Sequence, residues 1–167
     1  MLSSEQAREL PVAAAVEVLV VGGGPAGVAA AFSAARLGRS TLIVEQFNCL
    51  GGVATAGGHG HTCLFSQWGN GTRVVGGIPW ESLARVCEAG YGRHSNADGD
   101  FEALGSLRVM PQCGVMGQAA GTAAALSIEH QVMPRAIDVP ELQRALRAAD
   151  CIVADVDIVA ANASPGA

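Results

Sequence analysis

Residues 22–27 read Gly-Gly-Gly-Pro-Ala-Gly, so Gly22, Gly24 and Gly27 satisfy the spacing G-x-G-x-x-G. Glu45 follows 23 positions after Gly22, at the end of the apolar run Thr41-Leu42-Ile43-Val44. These residue types, at this spacing, suit the holding of a phosphate-bearing dinucleotide. The first glycine allows a tight turn, the second lets backbone approach a pyrophosphate, and the third lets a helix pack closely on the preceding strand. Pro25 and Ala26 fall in the first turn of that helix, whose unpaired N–H groups and dipole favour an anion. A carboxylate at Glu45 is placed to accept hydrogen bonds from both ribose hydroxyls of an adenosine half, and it repels a 2′-phosphate, so NADP is not expected. The six-residue motif alone is a weak signal, and a Gly-rich turn without ligand is the bland alternative. Ala31 and Gly38 extend the pattern to G-x-G-x-x-G-x₃-A-x₆-G, which favours the dinucleotide reading.

The motif needs elements to position it, and the sequence supplies them. Residues 16–21 form a short valine-rich run that reads as a buried parallel strand. Residues 25–37 read as a helix closed by Gly38, and 41–45 as a second buried strand. Together they make a β-α-β unit of about 30 residues. Residues 46–77 are Gly-rich and predict loops and short strands. A helix is predicted over 79–89, where Trp80, Leu83, Ala84 and Cys87 share one face. Pro111 opens a helix to about residue 129 that lines up Gly114, Gly117, Gly121 and Ala125, permitting close approach to a neighbouring element or cofactor. Asp138-Val139-Pro140-Glu141 resembles a capping box opening a helix to about residue 149. Residues 151–159 predict a strand with Asp155 and Asp157 on one face, followed by a loose tail.

The stretch 16–52, followed by 74–77, resembles the N-terminus of the FAD-dependent oxidoreductases of the glutathione-reductase-like class. In that family a short spacer and Leu-Gly-Gly follow the acidic residue, as in Glu45-Gln46-Phe47-Asn48-Cys49-Leu50-Gly51-Gly52, and a Thr-x-Gly comes next, as in Thr55-Ala56-Gly57. The resemblance implies FAD as cofactor, with the Leu50-Gly51-Gly52 backbone beside its adenosine and ribityl parts and Gln46 next to the acid. Residues 102–111 and Gly117-Gln118-Ala119-Ala120-Gly121-Thr122-Ala123-Ala124 resemble the family's closing segment, whose helix directs its N-terminus at the flavin's pyrimidine edge. By that resemblance Gly117 joins the cofactor-binding set. Arg108 is a candidate to neutralise a pyrophosphate or a flavin carbonyl, with a surface or capping role equally open; Arg93 is similar. The implied fold class is α/β, a Rossmann-type FAD-binding core with parallel strands and an incomplete sheet. Family members carry a substrate-facing middle between these two ends, and here the ends adjoin. The expected divisions are an extension over 1–15, the FAD-binding domain over 16–149 (parts 16–89 and 91–149), and a strand and tail over 150–167.

Composition bounds the rest. A chain of 167 residues, half of them hydrophobic and 15% charged, buries roughly two-thirds of its unfolded surface as one domain. Its net charge of −5 offers no footprint for nucleic acid or an anionic membrane. The uncharged stretch 19–35 contains three consecutive glycines and a proline, which suits a strand entering a helix and not a membrane span. The first 11 residues lack the basic-then-apolar order of a signal peptide. Five separated cysteines, none in C-x-x-C, imply reduced thiols and a cytoplasmic setting. His59, His61 and Cys63 alternate as strand-borne metal ligands would, with His94 as a distant fourth, but the spacing is unpersuasive and no metal is expected. His59 or His61 could instead meet a substrate beside a flavin. No catalytic acid, base or nucleophile stands out. Three readings remain open: an FAD enzyme moving hydride between an unknown small molecule and flavin N5, an FAD-binding module or subunit without independent catalysis, or an internally deleted remnant without function. Unpaired sheet edges predict a homo-oligomer or a partner subunit.

Overall fold

The computed structural model describes residues 9–58, 65, 72–89 and 110–163. Strands β1 (Val18–Val21) and β2 (Thr41–Val44) pair in parallel, Val18 opposite Thr41 and Val21 opposite Val44. Helix α1 (Pro25–Arg36) connects them. Proline at its start has the φ that a first helical turn requires, and Gly38, at φ +78°, takes the left-handed position past its end. Helices α2 (Gly77–Glu88), α3 (Met110–His130), α4 (Val139–Ala148) and α5 (Asp155–Asn162) follow, with 3₁₀ turns at Gly52–Ala54 and Pro134–Ala136. The sheet, α1 and α3 stack in that order, and α2 and α4 pack on α3.

The densest contact is between α1 and α3, and it is a contact of backbones. A β-carbon on Gly117 would lie 2.0 Å from the Ala26 carbonyl oxygen, and one on Gly121 would lie 2.1 Å from that of Ala30. The two pairs repeat at i, i+4 on both helices, so any larger residue would force the axes apart. Ala29, Ala34 and Ala125 complete this small-residue core. The Ser33 and Thr122 hydroxyls meet at 2.7 Å inside it, and Thr122 also donates to the Gln118 carbonyl at 2.8 Å, so both buried hydroxyls are satisfied.

Helix α2 begins two residues before the predicted Pro79. The reason is tertiary: Gly77 N–H donates to the Asp150 carbonyl and Ile78 N–H to the Gln118 side-chain oxygen, both at 2.8 Å. These long-range acceptors cap a helix whose N-cap residue, Gly76, has no side chain to do so. Arg73 closes the same corner. Its guanidinium lies over the Trp80 ring, 4.6 Å from the centroid, and pairs with the Asp150 carboxylate.

Two sequence expectations are corrected. The predicted strand over 151–159 is instead helix α5 from Asp155. Asp157 accepts from the Val153 and Ala154 N–H groups at 2.9 and 2.8 Å and pairs with Arg147, so the acidic residues serve a helix start. The strands, expected to be buried, are covered on one face only. Leu19, Val21, Leu42 and Val44 are 57, 81, 36 and 48% exposed, because α1 covers the opposite face and no described element covers this one. Asp138, by contrast, caps α4 as expected, accepting from Glu141 N–H at 3.2 Å.

The α1–α3 approach predicts that Gly121→Val destabilises the chain by about 1–3 kcal/mol through overpacking, whereas Ala120→Val, at an exposed neighbouring position, costs under about 1 kcal/mol. Urea unfolding followed by circular dichroism reads the difference.

Candidate functional site

The glycine turn lies at the end of β1. Gly22 takes φ +103°, a left-handed conformation, and its N–H donates to the Val44 carbonyl at 2.8 Å, which fastens the turn to the end of β2. A β-carbon on Gly27 would sit 1.8 Å from the Gly22 carbonyl oxygen, so the start of α1 folds directly onto the turn. Above Gly24 the space is open: nothing lies within 4 Å of where its β-carbon would be. The first-turn N–H groups of α1 have no side-chain cap, and helix geometry gives them no intrahelical partner. This is an anion cradle of backbone donors, and it fits a pyrophosphate.

The acidic residue is bound into the same unit. Glu45 Oε2 accepts from Gly23 N–H at 2.6 Å, and Oε1 accepts from Gln46 and Phe47 N–H at 2.7 and 3.0 Å. These donors, Phe47 first and then Gly23, hold the Glu45 carboxyl below its ordinary range despite some opposing desolvation. A carboxylate has about four acceptor sites, so roughly one remains on Oε2. With all three N–H bonds in place Glu45 can accept one ribose hydroxyl, and accepting both requires the loop to release a donor. Gly51 N–H returns to the Gly23 carbonyl at 2.7 Å, the Leu50 side chain covers Gly23, and Gly52 lies against Gly24.

The structure therefore brings together Gly22, Gly24, Pro25, Ala26, Gly27, Glu45, Gln46, Leu50, Gly51 and Gly52. Gly117 is buried against the backbone of Ala26, in the first turn of α1, and this contact packs α3 on α1. Arg108, Arg93, His59, His61, Cys63 and His94 lie outside the described residues. Among the described residues no three ligand-type side chains cluster as a metal would require, and no helix is long and apolar enough to cross a membrane. Sequence reasoning missed Gly23, which both donates to and accepts from the second loop; the third consecutive glycine was its only signal. It also missed an apolar cavity of about 300 Å³ whose lining includes Pro25 and Gly51.

A depressed carboxyl pKa in the folded state means that this latch is intact at neutral pH and above, and is lost only as pH falls through the folded value. Carboxyl-carbon NMR is expected to place the Glu45 midpoint below 4.5, with the Gly23 amide resonance shifting at the same pH.

The chain matches the family described as FAD dependent oxidoreductase over residues 17–99 and 91–146. It is 38% identical over 86 residues to a dihydrolipoyl dehydrogenase of Haemophilus influenzae, a stretch covering 51% of this chain and 14% of that protein. A dihydrolipoyl dehydrogenase of Trypanosoma brucei brucei is 35% identical over 100 residues, 60% of this chain and 16% of that one. A thiamine thiazole synthase of Aeropyrum pernix is 54% identical over 43 residues, 26% of this chain and 16% of its own. The chain thus spans no more than about a sixth of these relatives. No solved structure matches. A match of this extent, on a Gly turn and acidic residue already joined in space, makes the chain a member of the FAD-dependent oxidoreductase family.

Proposed function

We propose that this chain binds FAD non-covalently, with the pyrophosphate on the Gly22–Gly27 turn, the adenosine ribose on Glu45, and the Leu50–Gly52 backbone beside the ribityl part. The observation that carries this reading is the open, uncapped start of α1 beside Gly24, held next to an ionised Glu45 by Gly23. When bound, FAD supplies hydride exchange between a substrate carbon and flavin N5. The residues of this chain bind and orient: the turn donates to phosphate, and Glu45 fixes the sugar and disfavours a 2′-phosphate.

A second reading, a binding module that depends on other residues or chains for substrate, is favoured by a specific observation. Glu45 is occupied by three N–H groups, and among the described residues lining the cavity beside the turn none is titratable, so the described residues at the site offer no acid or base. The two family matches, 17–99 and 91–146, overlap with no stretch between them, which supports a chain that carries the two cofactor-binding ends without a substrate-facing middle.

Purified protein is expected to carry FAD or to take it up, read by flavin absorbance and mass spectrometry of the released cofactor. Uptake of NAD alone, or of nothing at saturating FAD, would overturn the reading. Gly24→Asp abolishes binding, because a side chain and a negative charge fill the open phosphate position, while Glu45→Ala weakens FAD only by roughly tenfold; a flavin-fluorescence titration ranks the two. Anaerobic stopped-flow against alcohols, amines and hydroxy acids decides between enzyme and module: rapid, saturable flavin reduction by one compound establishes the enzyme.

A further inference from the structure

Three N–H groups share the Glu45 carboxylate, and they divide unequally between its two oxygens. Oε1 accepts from Gln46 and Phe47 at 2.7 and 3.0 Å, whereas Oε2 accepts from Gly23 alone, at 2.6 Å. Each carboxylate oxygen has about two acceptor sites. Oε1 is therefore full, and Oε2 keeps roughly one site open.

The donors also differ in what becomes of them on release. Gly23 is buried and held from its other side. Its carbonyl accepts from Gly51 N–H at 2.7 Å, and a β-carbon on it would lie 2.5 Å from the Leu50 side chain. Parted from Glu45, its N–H would be a buried donor without a partner, a costly state. Gln46 and Phe47 are exposed, so their N–H groups pass to water with little loss.

A first ribose hydroxyl takes the open site on Oε2 with nothing displaced, and gains a charge-assisted hydrogen bond. A second hydroxyl has to displace Gln46 or Phe47 from Oε1. One hydrogen bond to the carboxylate then replaces another, and the loop loses order, so the net gain is close to nothing. We infer, on the reading that Glu45 meets the adenosine ribose, that this carboxylate reads one of the two ribose hydroxyls and is indifferent to the other. Gly23 is the positioning residue, because its amide fixes Oε2 and leaves that oxygen its single open site.

The test titrates the full chain, wild type and Glu45→Ala, with ADP, 2′-deoxy-ADP and 3′-deoxy-ADP by calorimetry. Each deoxy nucleotide compared with ADP gives the loss for one hydroxyl, and the same comparison in Glu45→Ala isolates the share that passes through Glu45. The expected share is roughly tenfold for one hydroxyl and under about twofold for the other. Thermal unfolding verifies that Glu45→Ala is folded. Amide hydrogen exchange on the wild type supplies a readout that needs no variant: the Gly23 amide stays protected at saturating ADP. Equal shares for the two hydroxyls, or loss of Gly23 protection on binding, would overturn the inference. Flavin uptake with equal shares overturns this inference and keeps the FAD reading, unequal shares without flavin uptake do the reverse, and binding of neither ADP nor FAD overturns both.

Discussion

The backbone contact between α1 and α3 is the constraint on which the other features rest. Gly117 and Gly121 let α3 approach the carbonyls of Ala26 and Ala30 so closely that the helices share one register. Ala26 lies in the first turn of α1, so the same contact that makes the core also fixes the start of α1 and the phosphate turn folded onto it. Gln118, one residue after Gly117, reaches across to start α2. A single helix thereby sets the position of two others, and the apolar cavity is the space left where the three diverge.

The second organising feature is the joining of the phosphate turn to the loop after β2. Gly23 donates to Glu45 and accepts from Gly51, while Gly22 donates to Val44. A ligand that needs a pyrophosphate site and a ribose acceptor meets both already placed, so little ordering is required on binding. The same bonds leave Glu45 with limited acceptor capacity.

Much of this was legible in the sequence. The β1-α1-β2 unit, the turn and Glu45 were found because each depends on local chemistry: valine runs, a proline at a helix start, and glycines at fixed spacing. The small-residue face of α3 was also visible, with a neighbouring element or a cofactor as the reason for it, and in the structure Gly117 packs on the backbone of Ala26. What failed was non-local. The start of α2 depends on Asp150 and Gln118, more than 35 residues away. Asp155 and Asp157 alternate as strand residues would, and it is the Arg147 pairing and the N–H groups at the start of α5 that give Asp157 its helical role. The exposed sheet face was unreadable because a parallel strand has the same apolar pattern whether or not its second face is covered.

The Ser33–Thr122 contact joins residues 89 positions apart, so closing the core requires the chain to bring two distant halves together. The entropic penalty for such a closure grows only with the logarithm of the length enclosed, about 0.6 kcal/mol for each doubling of a flexible loop. Between Glu88 and Met110 the chain can therefore be lengthened greatly at little thermodynamic expense, provided that the α1 and α3 faces still meet. That junction is a tolerant point of the architecture, at which evolution or an engineer could add or remove an entire folding unit while the dinucleotide turn stays as it is.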